Sequence, residues 1–166
     1  MELISYLAEQ HQEIIAQMLT AFDIWHREML KKPYDYDEIF KESYEMIPKL
    51  NEGQHRLYIG QENGEAIGFI VLDYRGSEVC WIDDLFVLAS KRNHGYGSQM
   101  IQMASELVRN QGYEAISIDV VPRNINAIRL YLKLGFDSLS LLTLRHDFDE
   151  SYRDRELELF DFKLKY

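Results

Sequence analysis

A strand-like run that empties into a glycine turn, and from there into a long amphipathic helix, constrains this chain more than any other feature. Residues 78–88 read EVCWIDDLFVL and are followed by a basic, glycine-containing turn from Lys91 to Gly97. Beyond it Met100, Met103, Ala104, Leu107 and Val108 form one stripe at helical spacing, and Gly112 predicts the stop. Another strand is predicted over residues 115–121. A strand–helix–strand passage of this kind calls for parallel neighbours joined by a right-handed crossover. The turn also has a chemical consequence. Gly95 and Gly97 let the backbone approach a ligand closely, and the free N–H groups of the first helical turn donate to an anion. Arg92 adds positive charge at the same place, in a fork suited to a phosphate oxygen.

Around this unit the periodicity predicts the remaining elements. Residues 3–7 read as a short first strand, and from Glu9 onward Ile14, Ile15, Met18, Leu19 and Phe22 recur at helical spacing. Residues 25–36 lose that period and carry His26, Arg27, Lys31, Lys32 and Pro33, so a loop or short irregular helix is expected. A second helix is expected over 36–50, with Ile39, Phe40, Tyr44 and Ile47 on its apolar side. Glu62-Asn63-Gly64-Glu65 signals a tight hairpin turn between a strand containing Leu57, Tyr58 and Ile59 and a return strand through Ile67, Phe69, Val71 and Leu72. Asn124 is a helix cap for Ile128, Tyr131 and Leu132, and Gly135 is the natural exit. Residues 139–144 and 157–164 read as two late strands joined by the polar segment 146–155. No Gly/Ser linker, repeat or low-complexity block divides residues 1–166, so a single α+β domain is expected.

Charge and cysteine content narrow the chemistry. The formal net charge of −10 opposes nucleic acid and anionic lipid, and no basic patch of useful length offsets it. Cationic partners suit such a surface better. Cys80 is the only cysteine, which leaves no intrachain disulfide and no thiolate metal cluster. His11, His26, His55, His94 and His146 form no short metal spacing, so no metal site is expected. The N-terminal residues lack the pattern of a secretory signal, and no run is long and apolar enough to span a bilayer, so a cytoplasmic location is the default expectation.

The glycine turn does not fit the common nucleotide motifs. G-x-x-x-x-G-K-[ST] is absent, and G-x-G-x-x-G fails because Met100 stands where the third glycine would be. Arg92-Asn93-His94-Gly95-Tyr96-Gly97 does match R/Q-x-x-G-x-G. Twenty-seven residues after Gly97 begins NINAIRLYLKLGF, which carries Asn124, Ala127, Tyr131, Gly135 and Phe136 in the pattern N-x-x-A-x-x-x-Y-x-x-x-G-F. Together these resemble the two signatures of the GNAT superfamily of N-acetyltransferases. IDDLFVLASKRNHGYG is most similar to the diamine and polyamine acetyltransferases, with Asp83 in place of their glutamate, Ala89 in place of a common proline and Asn93 in place of a common glycine.

The resemblance implies a mixed, mostly antiparallel seven-stranded sheet flanked by about four helices and split between its fourth and fifth strands. It implies acetyl-coenzyme A held by the backbone of Leu85, Phe86, Val87 and Leu88, by Arg92, Asn93, His94, Gly95, Tyr96, Gly97 and Ser98, and by Asn124 and Tyr131. Tyr131 is implied as general acid toward the departing thiolate, and its phenol, with an ordinary pKa near 10, is protonated at neutral pH. A primary amine, pKa about 10.4, must lose a proton before it attacks. Asp83 or Asp84 is able to attract the cation and pass that proton on, with Asp83 favoured by the resemblance. Strand alternation predicts that the two carboxylates point to opposite faces. Cys80, without a neighbouring His or cation in sequence, reads as a buried structural residue, which leaves direct attack in a ternary complex as the simpler mechanism.

Trp25, His26 and Tyr36, with Asp83 and Asp84, are the expected acceptor-binding residues for a small, cationic primary amine. The rival expectation is a non-catalytic acyl-coenzyme A-binding regulatory or adaptor protein on the same fold. A homodimer formed through the late strands is implied by the resemblance alone.

Overall fold

The computed structural model describes residues 1–146, 148 and 154–166. Strand β1 (Glu2–Ser5) is followed by helices α1 (Ala8–Met29) and α2 (Tyr36–Met46), the antiparallel pair β2 (His55–Glu62) and β3 (Glu65–Asp73), and β4 (Val79–Val87). Helix α3 (Tyr96–Asn110), β5 (Ala115–Ile118), α4 (Ile125–Lys133) and the strands β6 (Glu156–Leu159) and β7 (Phe162–Lys165) complete the chain. The first five strands form one sheet in the order β1-β2-β3-β4-β5, antiparallel except for β4 and β5, which run parallel as the α3 crossover requires.

Each face of the sheet buries its own core. On one face Phe69, Val71 and Phe86 pack with Ile15, Met18 and Leu19 of α1. On the other, Ile70, Leu72, Cys80 and Ile82 pack with Met100, Ile101, Ala104 and Val108 of α3. The α+β class, the four α-helices and the split of the sheet agree with the sequence reading. So does the hairpin turn, where Asn63 and Gly64 both take positive φ (52° and 82°), as a two-residue primed turn demands. No helix among the described residues is long and apolar enough to cross a membrane.

Three expectations need correction. Helix α1 does not stop before Trp25 but continues through residues expected to be irregular. An Asp23–Arg27 ion pair at 3.0 Å and the edge-on packing of Phe22 on His26 at 4.3 Å carry it through that turn. Helix α2 begins as predicted, with the Asp35 side chain accepting from the Glu38 N–H, but its α-helical part ends at Met46 and a 3₁₀ turn over Ile47–Asn51 takes over at Pro48. Proline lacks the N–H that an α-helix interior needs.

The late strands differ most. The leucine-rich segment 139–144 forms no strand, and Leu139, Leu141, Leu142 and Leu144 are exposed. The segment 157–164 is not one strand but the heart of a hairpin, folded at Phe160 and Asp161, both at positive φ. The seven strands are therefore distributed as a five-stranded sheet and a separate β6–β7 hairpin. Much of the polar connection 146–155 lies outside the described residues.

Candidate active site

The sheet comes apart beside β4. Residues Val79 to Ile82 pair with Ala115 to Ile118, and there β5 ends while β4 runs on to Val87. The edge of β4 away from β3 is thus left uncovered by β5 along Asp83, Asp84, Leu85, Phe86 and Val87. A bulge sits at the same place. Leu72 faces Ile82, but the next pair is Val71 with Asp84, so Asp83 is an extra residue without a partner across the ladder.

The bulge overturns the expected alternation of the two carboxylates. With the register reset, Asp84 lies opposite Val71, on the face that Phe69 and Phe86 share with α1. Asp83 belongs to the same neighbourhood. Its Oδ1 accepts from Arg75 at 2.5 Å and its Oδ2 meets His55 Nε2 at 3.1 Å. The half-buried Asp84 carboxyl is pushed up to about 6, chiefly by loss of water and then by the charge of Asp83, with His55 opposing. Asp83 is thus a carboxylate paired with Arg75 and hydrogen-bonded to His55, and Asp84 one poised to exchange a proton near neutrality.

At the end of β4 the turn is fastened on both sides. Arg92 Nε donates to the Val87 carbonyl at 3.0 Å, and its guanidinium lies 5.9 Å from the Trp25 ring and 5.6 Å from that of Phe86. Arg92 therefore staples the turn to β4 and α1, and only the remaining N–H groups of its fork stay available to an anion. Asn93 occupies the left-handed region at φ 64°, which explains how asparagine serves where glycine is common. His94 Nδ1 lies 2.7 Å from the Arg92 carbonyl, and its ring stacks near Tyr96. Tyr96 donates to Glu62, and Lys91 pairs with Glu65 at 2.8 Å, tying the turn to the β2–β3 hairpin.

Gly95 caps α3 at φ 83° and brings no side chain to the helix N-terminus, so no side chain competes there for the first-turn N–H groups of Tyr96, Gly97 and Ser98. A Cβ on Gly97 would lie 3.6 Å from Leu130 and 3.8 Å from Val87, which shows how closely the end of β4, the start of α3 and α4 converge.

Tyr131 follows Leu130 on α4 and packs with the α3-side core, its ring 6.0 Å from Phe136. Burial raises its phenol to about 12. Tyr131 therefore lies on the α3 side of the sheet and Asp84 on the α1 side. Asn124 caps α4, accepting from the Ala127 N–H at 3.2 Å. Leu88 packs against the α1-side core, and its N–H donates to the Ile67 carbonyl at 3.0 Å. Cys80 is fully buried, its thiol pushed up to about 11 by desolvation, as a structural cysteine should be.

The three aromatic acceptor candidates do not share one environment. Trp25 and His26 stand on α1 with rings 4.9 Å apart, next to Phe22, which packs on Phe86 at 5.9 Å. Burial holds the His26 imidazole below its ordinary pKa, against the pull of Asp23. Tyr36 is exposed at the start of α2, where it stacks on Phe40.

Sequence reading missed a polar cluster beneath the bulge. His55 on β2, Asp73 at the end of β3, Arg75 and Trp81 gather around Asp83. Arg75 Nε lies 2.6 Å from Asp73 Oδ2, and its guanidinium lies 5.1 Å from the centre of the Trp81 ring. His55, Asp73 and Asp83 each bring one ligand-type atom within 4.8 Å of the others, and the cation placed among them is the Arg75 guanidinium. Only the register His55 with Asp73 and Asp73 with Trp81 brings these residues together, so spacing along the chain carried no signal.

Comparison with known proteins agrees with this geometry. Residues 8–136 match the family described as Acetyltransferase (GNAT) family. A thialysine N-epsilon-acetyltransferase of Mus musculus is 29% identical over 96 residues, 58% of this chain and 54% of that protein. The chain spans about half the length of that curated relative, and 31% to 63% of the others it matches. Among solved structures, AAC(6′)-Iy in complex with a bisubstrate analogue superposes with a TM-score of 0.63 at 21% identity, covering 88% of this chain and 97% of that one. A tetramutant protein from Bacillus halodurans reaches a TM-score of 0.73 at 16% identity, covering 89% and 100%. At these identities the structural likeness speaks for the fold.

Proposed function

The chain belongs to the GNAT acetyltransferase family, and from that premise we propose that it transfers an acetyl group from acetyl-coenzyme A to the primary amine of a small cationic acceptor. One observation supports this reading above the others: β5 ends opposite Ile82 while β4 runs on to Val87, which leaves the β4 edge uncovered beside the poised carboxyl of Asp84, and α3 begins shortly beyond it with no side-chain cap. The thialysine enzyme and AAC(6′)-Iy, an aminoglycoside N-acetyltransferase, are relatives named for transfer to nitrogen, which supports an amine acceptor.

The residues of the turn fit a pyrophosphate. The N–H groups of Tyr96, Gly97 and Ser98 begin a 15-residue helix whose dipole favours an anion, Gly95 leaves their approach open, and Arg92 adds charge beside them. The uncovered edge of β4 at Leu85 to Val87 supplies backbone groups for a chain of amides, apart from the Val87 carbonyl that Arg92 already engages, and Asn124 keeps donors free while its oxygen caps α4. When bound, acetyl-coenzyme A supplies the reactive thioester.

The proton chemistry falls to two side chains. Asp84, with its pKa near 6, is mostly ionised at neutral pH and is a stronger base than an ordinary carboxylate by about two units. It takes the ammonium proton of the acceptor, directly or through water. Asp83 stands where the motif suggests the base, but Arg75 and His55 already engage its oxygens, so its part is to add negative charge beside Asp84. Tyr131, held protonated by burial, would donate its proton to the departing thiolate and regain one as the acylated nitrogen sheds its own. Trp25 and His26, beside Phe22 and Phe86, line the approach from α1.

The test is coenzyme A release measured with purified protein, acetyl-coenzyme A and three acceptor classes: aliphatic diamines, aminoglycosides and peptides with a free amine. Acceptor-dependent release with a small amine supports the reading. Tight coenzyme A binding with no release from any class overturns it in favour of a non-catalytic binding protein.

A further inference from the structure

Arg75 sits in a pocket of charge that resembles a receptor for a foreign cation. Its guanidinium bridges two carboxylates, at 2.6 Å from Asp73 and 2.5 Å from Asp83, and lies 5.1 Å from the Trp81 ring centre. Two anions with an aromatic wall are the elements of an organic-cation site. Arg75 enters it from solvent, with 49% of its side chain exposed, whereas the Asp73 side chain is only 6% exposed. Asp73 also retains a buried Oδ1 with no hydrogen-bond partner. The arginine therefore occupies the site without exhausting it. A primary ammonium, with three N–H donors on a compact centre, is equipped to use both oxygens.

The location gives this consequence for specificity. Asp83 directly precedes Asp84 on β4, one step of about 3.3 Å along an extended strand, and Arg75 with Asp73 lies on the far side of Asp83. An acceptor whose reacting amine lies beside Asp84 and the uncovered edge of β4 thus has its far end within reach of Asp73 and Asp83.

We propose that Arg75 is a specificity-determining residue: an internal cation that fills the subsite for the acceptor's distal charge, so that a dicationic amine must displace it to bind. This inference rests on the amine-acceptor reading above and narrows it. An intramolecular guanidinium is tethered at its site, while a diamine entering from solution must give up translational freedom to replace it. The wild-type protein accordingly discriminates against a second positive charge at that distance. Neutralising residue 75 leaves Asp73, Asp83 and Trp81 without their guanidinium, with His55 Nε2 still 3.1 Å from Asp83 and 3.5 Å from Asp73, so that Asp83 Oδ1 and the Trp81 ring face the vacated place.

The experiment compares kcat/KM for an aliphatic diamine and for the monoamine of equal chain length in wild-type protein, Arg75→Gln and Arg75→Lys. The expected result is a diamine-to-monoamine ratio that rises at least about tenfold in Arg75→Gln, stays near the wild-type value in Arg75→Lys, and falls back when Asp73→Asn is added to Arg75→Gln. A ratio that is unchanged or lower in Arg75→Gln overturns the proposal. Should neither amine be acetylated by any form, the activity reading fails on its own account, and calorimetry of the diamine still decides the subsite. Tighter binding to Arg75→Gln than to wild type supports it, and equal or weaker binding overturns it.

Discussion

Asp84 pairs with Val71 across the β3–β4 ladder, one residue out of step with the Ile82–Leu72 pair that precedes it. That offset gives the carboxyl a place on the α1 face, beside the charge of Asp83 and out of bulk water, and so raises its pKa to about 6. If Asp84 is the base, turnover depends on its ionised form. The kcat–pH profile should then fall on the acid side with a midpoint near 6, and Asp84→Asn should lose that limb along with roughly 10²-fold in kcat. A limb centred near 4, or one that persists in Asp84→Asn, would assign the proton to another group.

The same shift predicts a stability effect of unusual sign. The folded pKa of Asp84 is above its unfolded value of 3.8, so between about 4 and 6 the folded state binds more protons than the unfolded state. Stability attributable to this group is greatest below that window, falls as pH rises through it, and stays low at neutrality. Asp84→Asn removes the cost of holding the charge. It should stabilise the protein at pH 7 by on the order of 1–3 kcal/mol and have little benefit at pH 4. Urea titrations of both forms at the two pH values test this. A substitution equally destabilising at both would show that Asp84 makes a net favourable contact as an anion.

Tyr131 has its phenol raised to about 12 by burial alone, which keeps the proton in place at every pH at which the protein is expected to work. Tyr131→Phe keeps the ring's packing beside Phe136 and removes only the donor. Turnover should fall at least about tenfold while the KM for acetyl-coenzyme A and the thermal midpoint change little. Steady-state kinetics with varied acetyl-coenzyme A separates these quantities, and an undiminished kcat would remove Tyr131 from the chemistry.

The parts of this molecule legible from sequence are those set by local chemistry. The Asn63-Gly64 turn and the Asn124 cap each arise from a residue's own backbone or hydrogen-bonding habit, and the α3 stripe arises from its period. The hidden parts depend on contacts between distant segments. The bulge at Asp83 is a property of two strands together, and without it alternation sends Asp83 and Asp84 apart. Arg75 reads as a turn residue until β2 and β3 bring His55 and Asp73 beside it. The leucines of 139–144 failed for the converse reason: a short apolar run reads as a strand, yet among the described residues no strand pairs with it, and apolar character alone supplies no hydrogen-bond partner.

The turn offers a separation of backbone strain from ligand binding. Gly95 and Asn93 both lie at positive φ, 83° and 64°, but only one of them adjoins the start of α3. Gly95 is the N-cap of that helix, directly before the N–H groups of Tyr96, Gly97 and Ser98, and a Cβ there would meet only Gln99 Nε2 at 3.7 Å. Gly95→Ala therefore introduces no clash within the protein. Its cost is the left-handed conformation, about 1 kcal/mol, together with a methyl group at the mouth of the anion site. Asn93→Gly relieves strain and lies outside the helix cap. Calorimetric titration with coenzyme A should show binding weakened at least about tenfold in Gly95→Ala, with the thermal midpoint only slightly lower. Asn93→Gly should bind within about twofold of wild type, since it keeps the same backbone path. Equal losses in both variants would mean that general loosening of the turn, and not the N-terminus of α3, governs the affinity.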